Sequence, residues 1–271
     1  MMLTAMLVGS HAAWAASACT QSSYFFSTTL SCSYQSQSIS TGTGETRQVR
    51  YQVPDGSAPE GGWPAVLMYQ PSGAPILWAA NEYMPAGVYH QVRLIEELLD
   101  RGYAVIAPAA GFYQYWLTNN VGMDGLIPYS STPDYHYIDK VIAGLAGGQF
   151  GSVDMERLYA TGMSSGGYNT SRMAVSFPGR FKALAIQSAS YANCAGFYCN
   201  VPQSLPDSHP PTLFLHGGRD YVVPIGTMES YRERLDDQGV ETQKVIAPTL
   251  GHEYLPAAPQ AISDWFDSHF Q

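Results

Sequence analysis

The chain has 271 residues, of which 45% are apolar and only 13% are charged. This length and apolar content suit one α/β domain with a sizeable core, and they exclude an intrinsically disordered chain. Thirteen basic residues against 22 acidic ones give a net charge of −9. Such a surface repels nucleic acid and anionic lipid, so neither is an expected partner.

The N-terminal segment, residues 1–18, predicts a secretory signal peptide. It contains no acidic residue and carries the small-x-small cleavage pattern Ala13-Trp14-Ala15. It lacks the usual basic start, since no Lys or Arg precedes Arg47. The apolar stretch is too short for a transmembrane anchor, and a lipoprotein site at Cys19 lacks the expected Leu. We therefore expect a secreted protein.

Four cysteines follow the predicted signal: Cys19, Cys32, Cys194 and Cys199. An even number in an exported chain indicates disulfides, and four cysteines allow three pairings. Proximity favours Cys19–Cys32 and Cys194–Cys199, because short loops cost the least entropy to close. No His lies near these cysteines at metal-ligand spacing, so no metal site is expected.

Strand and helix patterns alternate along most of the chain. Residues 19–46 are rich in Ser, Thr and Gln and are expected to form an N-terminal surface extension. Apolar or alternating runs then predict strands at 47–53, 65–69, 103–107, 158–161, 183–187, 212–215 and 243–246. Helical patterns occupy 90–99, 135–145, 165–175, 226–235 and 258–269. Residues 47–271 therefore predict a single α/β domain, with a mostly parallel sheet of about seven or eight strands and helices on both faces.

A nucleophile is predicted where the strand at 158–161 runs into a helix. The connecting residues read Gly162-Met163-Ser164-Ser165-Gly166, a Gly-x-Ser-x-Gly pattern. This pattern between a strand and a helix is typical of the nucleophile elbow of the α/β-hydrolase fold. Ser165 is the alternative nucleophile, but only Ser164 is centred between the two glycines.

The acid of a catalytic triad is expected downstream of the serine, because α/β-hydrolases carry their triad in the order Ser, Asp or Glu, His. Asp220 lies just past the buried strand at 212–215. The alternatives Asp207, Asp236 and Asp237 fall in a loop or on a helix, where they are less well placed.

The base is expected in a loop after the last strand, and His252 occupies that place. His216 is the alternative, but it belongs to the segment that leads into the acid. His269 lies on the terminal helix and His209 precedes Pro210. We therefore predict Ser164 as nucleophile, Asp220 as acid and His252 as base.

An oxyanion hole needs two backbone amides. One is expected from Ser165, directly after the nucleophile. The other is expected from the loop after the strand at 65–69, where Pro71 has no amide to give. Ser72 is the preferred second donor, with Gln70 and Gly73 as alternatives.

Together these segments resemble the extracellular polyhydroxyalkanoate depolymerases. The resemblance is carried by 153–157 with the elbow 162–167, by His216-Gly217-Gly218-Arg219-Asp220 with 221–224, and by Gly251-His252. Feruloyl and acetylxylan esterases share this general pattern. All of these commonly carry a His-Gly pair after the early strand, where this chain has Gln70-Pro71.

The resemblance is closest to the medium-chain-length polyhydroxyalkanoate depolymerases, since the hydrolase pattern leaves no room for an appended polymer-binding domain. It implies a serine esterase that cleaves a water-insoluble polyester through an acyl-enzyme, without metal or organic cofactor. No protein partner is predicted. The alternatives are a feruloyl, acetylxylan or short-chain polyester esterase and, from another class, a non-catalytic binding protein, which the complete triad disfavours.

An aromatic segment follows the strand at 103–107. It contains Phe112, Tyr113, Tyr115 and Trp116. An enzyme without a binding domain must adsorb to its polymer through its own surface, and exposed aromatic rings favour such adsorption. These rings are therefore candidates for the substrate surface, with ordinary core packing as the alternative.

Overall fold

The computed structural model describes residues 18–112, 114–118, 128–194 and 197–270. The strands are β1 Cys19–Tyr24, β2 Ser27–Cys32, β3 Gln35–Ser40, β4 Thr46–Gln52, β5 Trp63–Tyr69, β6 Ala79–Asn81, β7 Ala104–Pro108, β8 Val153–Met163, β9 Ala183–Gln187, β10 Thr212–Gly217 and β11 Thr242–Ala247. The helices are α1 Val88–Asp100, α2 Pro133–Ala146, α3 Ser165–Ser176, α4 Ile225–Asp237 and α5 Ala258–Ser268.

The main sheet has eight strands in the order β11-β10-β9-β8-β5-β7-β4-β3. The six strands from β11 to β7 are parallel, and β4 and β3 complete one edge in antiparallel fashion. The central strands are nearly continuous apolar runs, because both of their faces are covered. The predicted mostly parallel sheet is confirmed.

The helices cover the sheet from both sides. Alternation along β5 sends Val66 and Met68 toward α1 and α5, and Leu67 and Tyr69 toward α2 and α3. The fourth helix, α4, packs on the same side as α3 through Met228 and neighbouring apolar residues. The parallel strands therefore end together at one edge, which is where the predicted site residues lie.

Residues 19–46 contain more regular structure than the predicted surface extension. They form β1, β2 and β3, and β1 and β2 pair with β6 in a small antiparallel sheet. Leu30 and Ile39 are buried in the two cores on opposite faces of the main sheet. The polar composition conceals these strands because Ser, Thr and Gln occupy their exposed positions.

Two disulfides are present, joining Cys19 to Cys32 and Cys194 to Cys199. The first links directly opposite residues of β1 and β2, and the second closes a short loop after β9. These are the two pairs that proximity favoured. Of the predicted signal peptide, residues 1–17 lie outside the described residues. Within the described ranges, no helix is long and apolar enough to span a bilayer.

Candidate active site

The predicted nucleophile lies between β8 and α3. Ser164 has φ 56° and ψ −123°, a left-handed backbone conformation that is uncommon for a residue with a side chain. Its N–H donates to the carbonyl of Gln187 on β9 at 3.0 Å, which holds the turn in place. A strained conformation of this kind persists only where the surrounding structure holds it, and such residues are found mainly at functional sites.

Glycines allow the strand ends to meet closely around this turn. A Cβ on Gly162 would lie 2.5 Å from the backbone of Gly166, and a Cβ on Gly166 would lie 2.1 Å from the carbonyl oxygen of Tyr69. A Cβ on Gly217 would lie 2.1 Å from the carbonyl oxygen of Gly251. The glycines of the elbow therefore serve close backbone contact, and Gly217 does the same between the loops that carry the acid and the base.

The predicted base and acid lie in line with the serine. His252 Nε2 is 2.8 Å from Ser164 Oγ, and His252 Nδ1 is 2.7 Å from Asp220 Oδ2. In the arrangement that satisfies both bonds, the hydroxyl donates to Nε2 and Nδ1–H donates to the carboxylate. The structure thus brings together all three residues predicted for the triad.

The acid is held by its own loop. The other oxygen of the Asp220 carboxylate, Oδ1, accepts the N–H groups of Val222 at 2.9 Å and Val223 at 2.8 Å. Burial alone would raise the pKa of the Asp220 carboxyl, but the hydrogen bonds from His252 and Val223 outweigh burial and lower that pKa. Asp220 is therefore ionised at neutral pH, as the orienting acid of a triad must be.

The alternative histidines serve other purposes. His216 is fully buried on β10, and its Nε2–H donates to the carbonyl of Val223 at 2.8 Å, so it supports the acid loop. Burial lowers the pKa of His216, which keeps the ring neutral. His209 is buried and its Nε2 is 2.7 Å from the hydroxyl of Tyr231.

The alternative acid and nucleophile are also engaged elsewhere. Asp236 pairs with Arg232 on α4, away from His252. Ser165 is buried and its hydroxyl accepts the N–H of Trp116 at 2.9 Å. Neither residue lies in line with His252, and Ser164 and Asp220 are the pair that does.

The candidate oxyanion donors lie on two neighbouring elements. Ser165 is the first residue of α3, so its N–H has no acceptor within the helix. On the loop after β5, the N–H of Gly73 is already donated to the carbonyl of Gln114 at 2.8 Å. Gly73 is therefore the weakest of the three candidates, which leaves Ser72 and Gln70 as the predicted second donors.

A curated relative decides the family. The chain is 47% identical over 271 residues to the poly(3-hydroxyoctanoate) depolymerase of Pseudomonas fluorescens, and the match covers 99% of this chain and 96% of the relative. The chain belongs to the poly(3-hydroxyoctanoate) depolymerase family. No protein-family model matches it.

Two solved structures are similar to this chain in fold. The S-formylglutathione hydrolase of Staphylococcus aureus superposes with a TM-score of 0.60 at 14% identity, covering 88% of this chain and 96% of the other. A phospholipase/carboxylesterase of Dyadobacter fermentans gives 0.57 at 14%, covering 81% and 96%. The chain of this depolymerase family therefore has the α/β-hydrolase fold that its elbow predicted.

The aromatic segment divides into buried and exposed rings. Trp116 is fully buried, so its predicted place on the substrate surface is wrong. Its indole packs edge-on against Tyr69, with ring centroids 5.2 Å apart. Burying a large apolar ring in the core lowers the free energy of the folded state relative to leaving the ring in water. Phe112 is 86% exposed and Tyr115 is 38% exposed, while Tyr113 lies outside the described residues.

Several contacts of the candidate site had no local signal in the sequence. The bond from Trp116 to Ser165 joins residues 49 positions apart, and no pattern in either segment predicts it. The hydrogen bonds from the N–H groups of Val222 and Val223 to Asp220 could be predicted in part from the sequence. Asp side chains commonly accept the backbone N–H two residues further along the chain. Among the described residues, no cluster of three His, Cys, Asp or Glu side chains could hold a metal ion.

Proposed function

We propose that this protein is a secreted serine esterase that hydrolyses the ester bonds of a water-insoluble, medium-chain-length polyhydroxyalkanoate. The observation that carries the proposal is the unbroken hydrogen-bond chain from Ser164 through His252 to Asp220, in a chain of this depolymerase family. Two disulfides support secretion, because disulfides persist in oxidising compartments.

Acylation begins with attack of Ser164 Oγ on the ester carbonyl carbon. His252 Nε2 takes the hydroxyl proton as the new C–O bond forms, and Asp220 stabilises the imidazolium that results. The same proton then passes to the alkoxide of the departing chain as its C–O bond breaks. The products of this half-reaction are an acyl-enzyme on Ser164 and a polymer end with a free hydroxyl.

Deacylation repeats these steps with water. His252 accepts a proton from the attacking water and returns it to Ser164 Oγ when the acyl–enzyme bond breaks. The released product is a 3-hydroxy acid or a short oligomer of it. The negative charge on the carbonyl oxygen in each tetrahedral intermediate is stabilised by the N–H of Ser165 and by Ser72 or Gln70. The N-terminal end of α3 adds a favourable dipole at the same place.

Exposed aromatic residues surround the edge of the sheet that carries the triad. Those after the parallel strands are Phe112 and Tyr115 after β7, Phe197 and Tyr198 after β9, and Tyr221 after β10, and Tyr83 follows β6 of the small antiparallel sheet. A soluble protein rarely keeps so many large apolar rings in water unless they contact something apolar. We therefore place polymer adsorption on this edge, which retains Phe112 and Tyr115 as predicted contacts.

A hairpin extends this aromatic edge. Tyr24, Phe25 and Phe26 at the tip of β1 and β2 are 78%, 84% and 90% exposed. The hydroxyl of Tyr83 donates to the Phe26 carbonyl at 2.7 Å. The hairpin itself contains no charged residue, since none occurs before Glu45, and the carboxylate of Glu82 contacts it at the N–H of Thr28, 3.0 Å away, behind the tip.

The hairpin lies on the side of the catalytic base. The N–H of Tyr254 donates to the carbonyl of Ala86 at 3.0 Å. Tyr254 is two residues beyond His252, and Ala86 is three residues beyond Tyr83, so each of these steps spans at most about 11 Å of chain. An adsorbed polymer surface at the hairpin would therefore lie within reach of the triad.

Removing the rings of the hairpin is expected to weaken adsorption without changing catalysis. In the Ser164→Ala protein, the double change Phe25→Gly and Phe26→Ser should lower the affinity for poly(3-hydroxyoctanoate) granules about 30-fold, if each ring buries roughly half of its surface on adsorption. Glycine suits position 25 because φ there is 53°. The measurement is the fraction of protein that sediments with granules at low and at high salt.

The matched control for that experiment is Phe270→Ser. Phe270 is exposed beside Arg157, away from the carboxyl ends of the strands. This change should leave sedimentation unaltered, and the hairpin changes in the active protein should leave hydrolysis of soluble esters within about twofold of the original rate, since they touch no triad residue. Equal sedimentation of the hairpin variant and its parent would contradict the adsorption surface.

A preference for longer acyl chains is expected on soluble substrates. Each methylene that the cleft buries adds at most about 0.8 kcal/mol, so kcat/KM for p-nitrophenyl octanoate should exceed that for the acetate by tens to hundreds of times. Initial rates over a series of acyl lengths measure this ratio. A flat or falling series, with activity on feruloyl or acetyl esters, would replace the polyester with the substrates of the alternative esterases.

A further inference from the structure

We propose that Trp116 is a positioning residue that fixes the two sides of the oxyanion hole relative to each other. This inference rests on the proposed function, since it concerns the hydrogen-bond donors that act on the ester carbonyl. Among the described residues, the hydrogen-bond partners of Trp116 are Ser165 and Gln70, neither of which belongs to the triad. Trp116 contacts the residues on both sides of the hole through two different N–H groups of the same residue.

The backbone N–H of Trp116 holds the side that belongs to α3. It donates to the hydroxyl of Ser165 at 2.9 Å, and both residues are buried. Ser165 also supplies the predicted first oxyanion donor through its own backbone N–H. Because that N–H sits at the start of the helix, a fixed Ser165 side chain restrains the direction in which the N–H points.

The indole N–H of Trp116 holds the opposite side. Its Nε1–H donates to the backbone carbonyl of Gln70 at 3.1 Å. Gln70 begins the loop that is expected to give the second donor, either Gln70 itself or Ser72. The peptide unit of that carbonyl is planar and joins Gln70 to Pro71, whose ring restricts φ, so the indole restrains the backbone between the N–H groups of Gln70 and Ser72.

Further bonds tie the same two segments together. The Gln70 side chain accepts the N–H of Ala110 through Oε1 at 3.0 Å, and the N–H of Gly73 donates to the carbonyl of Gln114 at 2.8 Å. The residues just before Trp116 therefore hold the loop at two more points. Trp116 differs from these residues because its hydrogen bonds reach both Gln70 and Ser165.

Trp116 is itself held rigidly. The next residue, Leu117, donates its N–H to the carboxylate of Asp134 at 2.6 Å. Asp134 is fully buried and pairs with Arg47 at 2.6 Å. The indole packs edge-on against Tyr69, the last residue of β5. A buried residue that is fixed at its backbone, its ring and its ring N–H has little freedom to move. It therefore restrains the hydrogen-bond donors of the segments that it contacts.

The test is Trp116→Phe, which keeps a buried aromatic ring and removes the indole N–H. On p-nitrophenyl octanoate we expect kcat to fall about 5- to 50-fold with KM within about threefold, because misplacing an oxyanion donor costs less than the ~10²–10³ lost on deleting one. An alkylboronic acid, whose tetrahedral adduct on Ser164 places oxygen in the hole, should bind more weakly by a similar factor.

The matched control is Trp265→Phe. Trp265 is also buried, but its Nε1–H has no hydrogen-bond partner among the described residues. This change should lower the melting temperature to a similar extent and leave kcat and boronic acid binding within about twofold, since it removes no contact to the hole. A parallel loss of kcat in both variants would overturn the inference, because a general loss of packing would then explain it.

A second variant covers the case in which Trp116→Phe does not fold. Ser165→Ala keeps the backbone N–H of Ser165 and removes only the hydroxyl that accepts from Trp116. We expect kcat about 3- to 10-fold lower, with little change in KM, because the donor remains but is less restrained. Unchanged kcat in Ser165→Ala, or in a folded Trp116→Phe protein, with Ser164→Ala inactive, would refute the positioning role alone. Activity in Ser164→Ala would instead refute the proposed catalytic serine.

Discussion

Ser164→Ala is expected to abolish ester hydrolysis and to leave the fold intact. Alanine has the Cβ that Ser164 already places at φ 56°, so the turn gains no new strain. Among the described residues, the lost hydroxyl is the one that lies within hydrogen-bond distance of His252 Nε2, at 2.8 Å. Loss of a triad nucleophile costs about 10⁶-fold in kcat in a comparable serine hydrolase. Initial rates on p-nitrophenyl octanoate and clearing of a polymer suspension measure the loss.

Ser165→Ala is the comparison for that experiment, since it removes the neighbouring hydroxyl. It should keep at least about a tenth of the original kcat because it alters only the setting of one oxyanion donor. Circular dichroism of the Ser164→Ala protein shows whether the fold has survived. Retention of more than a few per cent of activity by folded Ser164→Ala protein would refute the assignment.

Asp220→Asn is expected to lower kcat about 10⁴-fold with little change in KM, and to lower stability at neutral pH by the part that the ionised carboxylate contributes. The amide has the shape of the carboxylate, and its oxygen can still accept the N–H groups of Val222 and Val223. The amide nitrogen would then face His252 Nδ1 and donate to it. The imidazole proton would move to Nε2, which could no longer accept the proton of Ser164.

The pH dependence separates the acid from its neighbours. Because the folded pKa of Asp220 is lowered, its ionised form stabilises the fold at neutral pH, and this contribution is lost as pH falls through the acidic range. Asp220→Asn should remove that part of the acid-induced loss of stability. Asp236→Asn, which alters the contacts of Asp236 with Arg232 on α4 and with the hydroxyl of Thr242 on β11, should keep near-normal kcat. The opposite ranking of the two variants would show that Asp220 is not the acid.

The features that could be predicted from the sequence are those that depend on short, local residue patterns. The elbow is specified by small residues at fixed spacing, and Asp220 and His252 each follow a recognisable strand. Because parallel strands end at one edge, the order of these segments was enough to bring the three side chains together. Helix α2 begins at Pro133, two residues before its predicted start, with the Thr132 hydroxyl accepting the Tyr135 N–H as a cap.

The parts that were missed depend on contacts between distant segments. Polar strands such as β3 were hidden because a strand at the edge of a sheet needs only a few buried positions, here Ile39. The burial of Trp116 depends on Gln70 and Ser165, which lie 46 and 49 positions away along the chain. A run of aromatic residues cannot show which of its rings will find such partners.

The close backbone contacts at Gly162, Gly166 and Gly217 limit how this protein could be made resistant to heat. Exchange of glycine for alanine commonly adds about 0.4–1 kcal/mol by restricting the unfolded chain, provided that the native backbone accepts a methyl group. At these three positions the methyl carbon would lie within 2.5 Å of backbone atoms. At Gly226, which lies in helix α4, an added methyl carbon would meet no described atom within 4 Å. Exchange of glycine for alanine to raise thermal stability is therefore feasible at positions such as Gly226. At Gly162, Gly166 and Gly217 the added methyl group would displace the backbone that surrounds the triad.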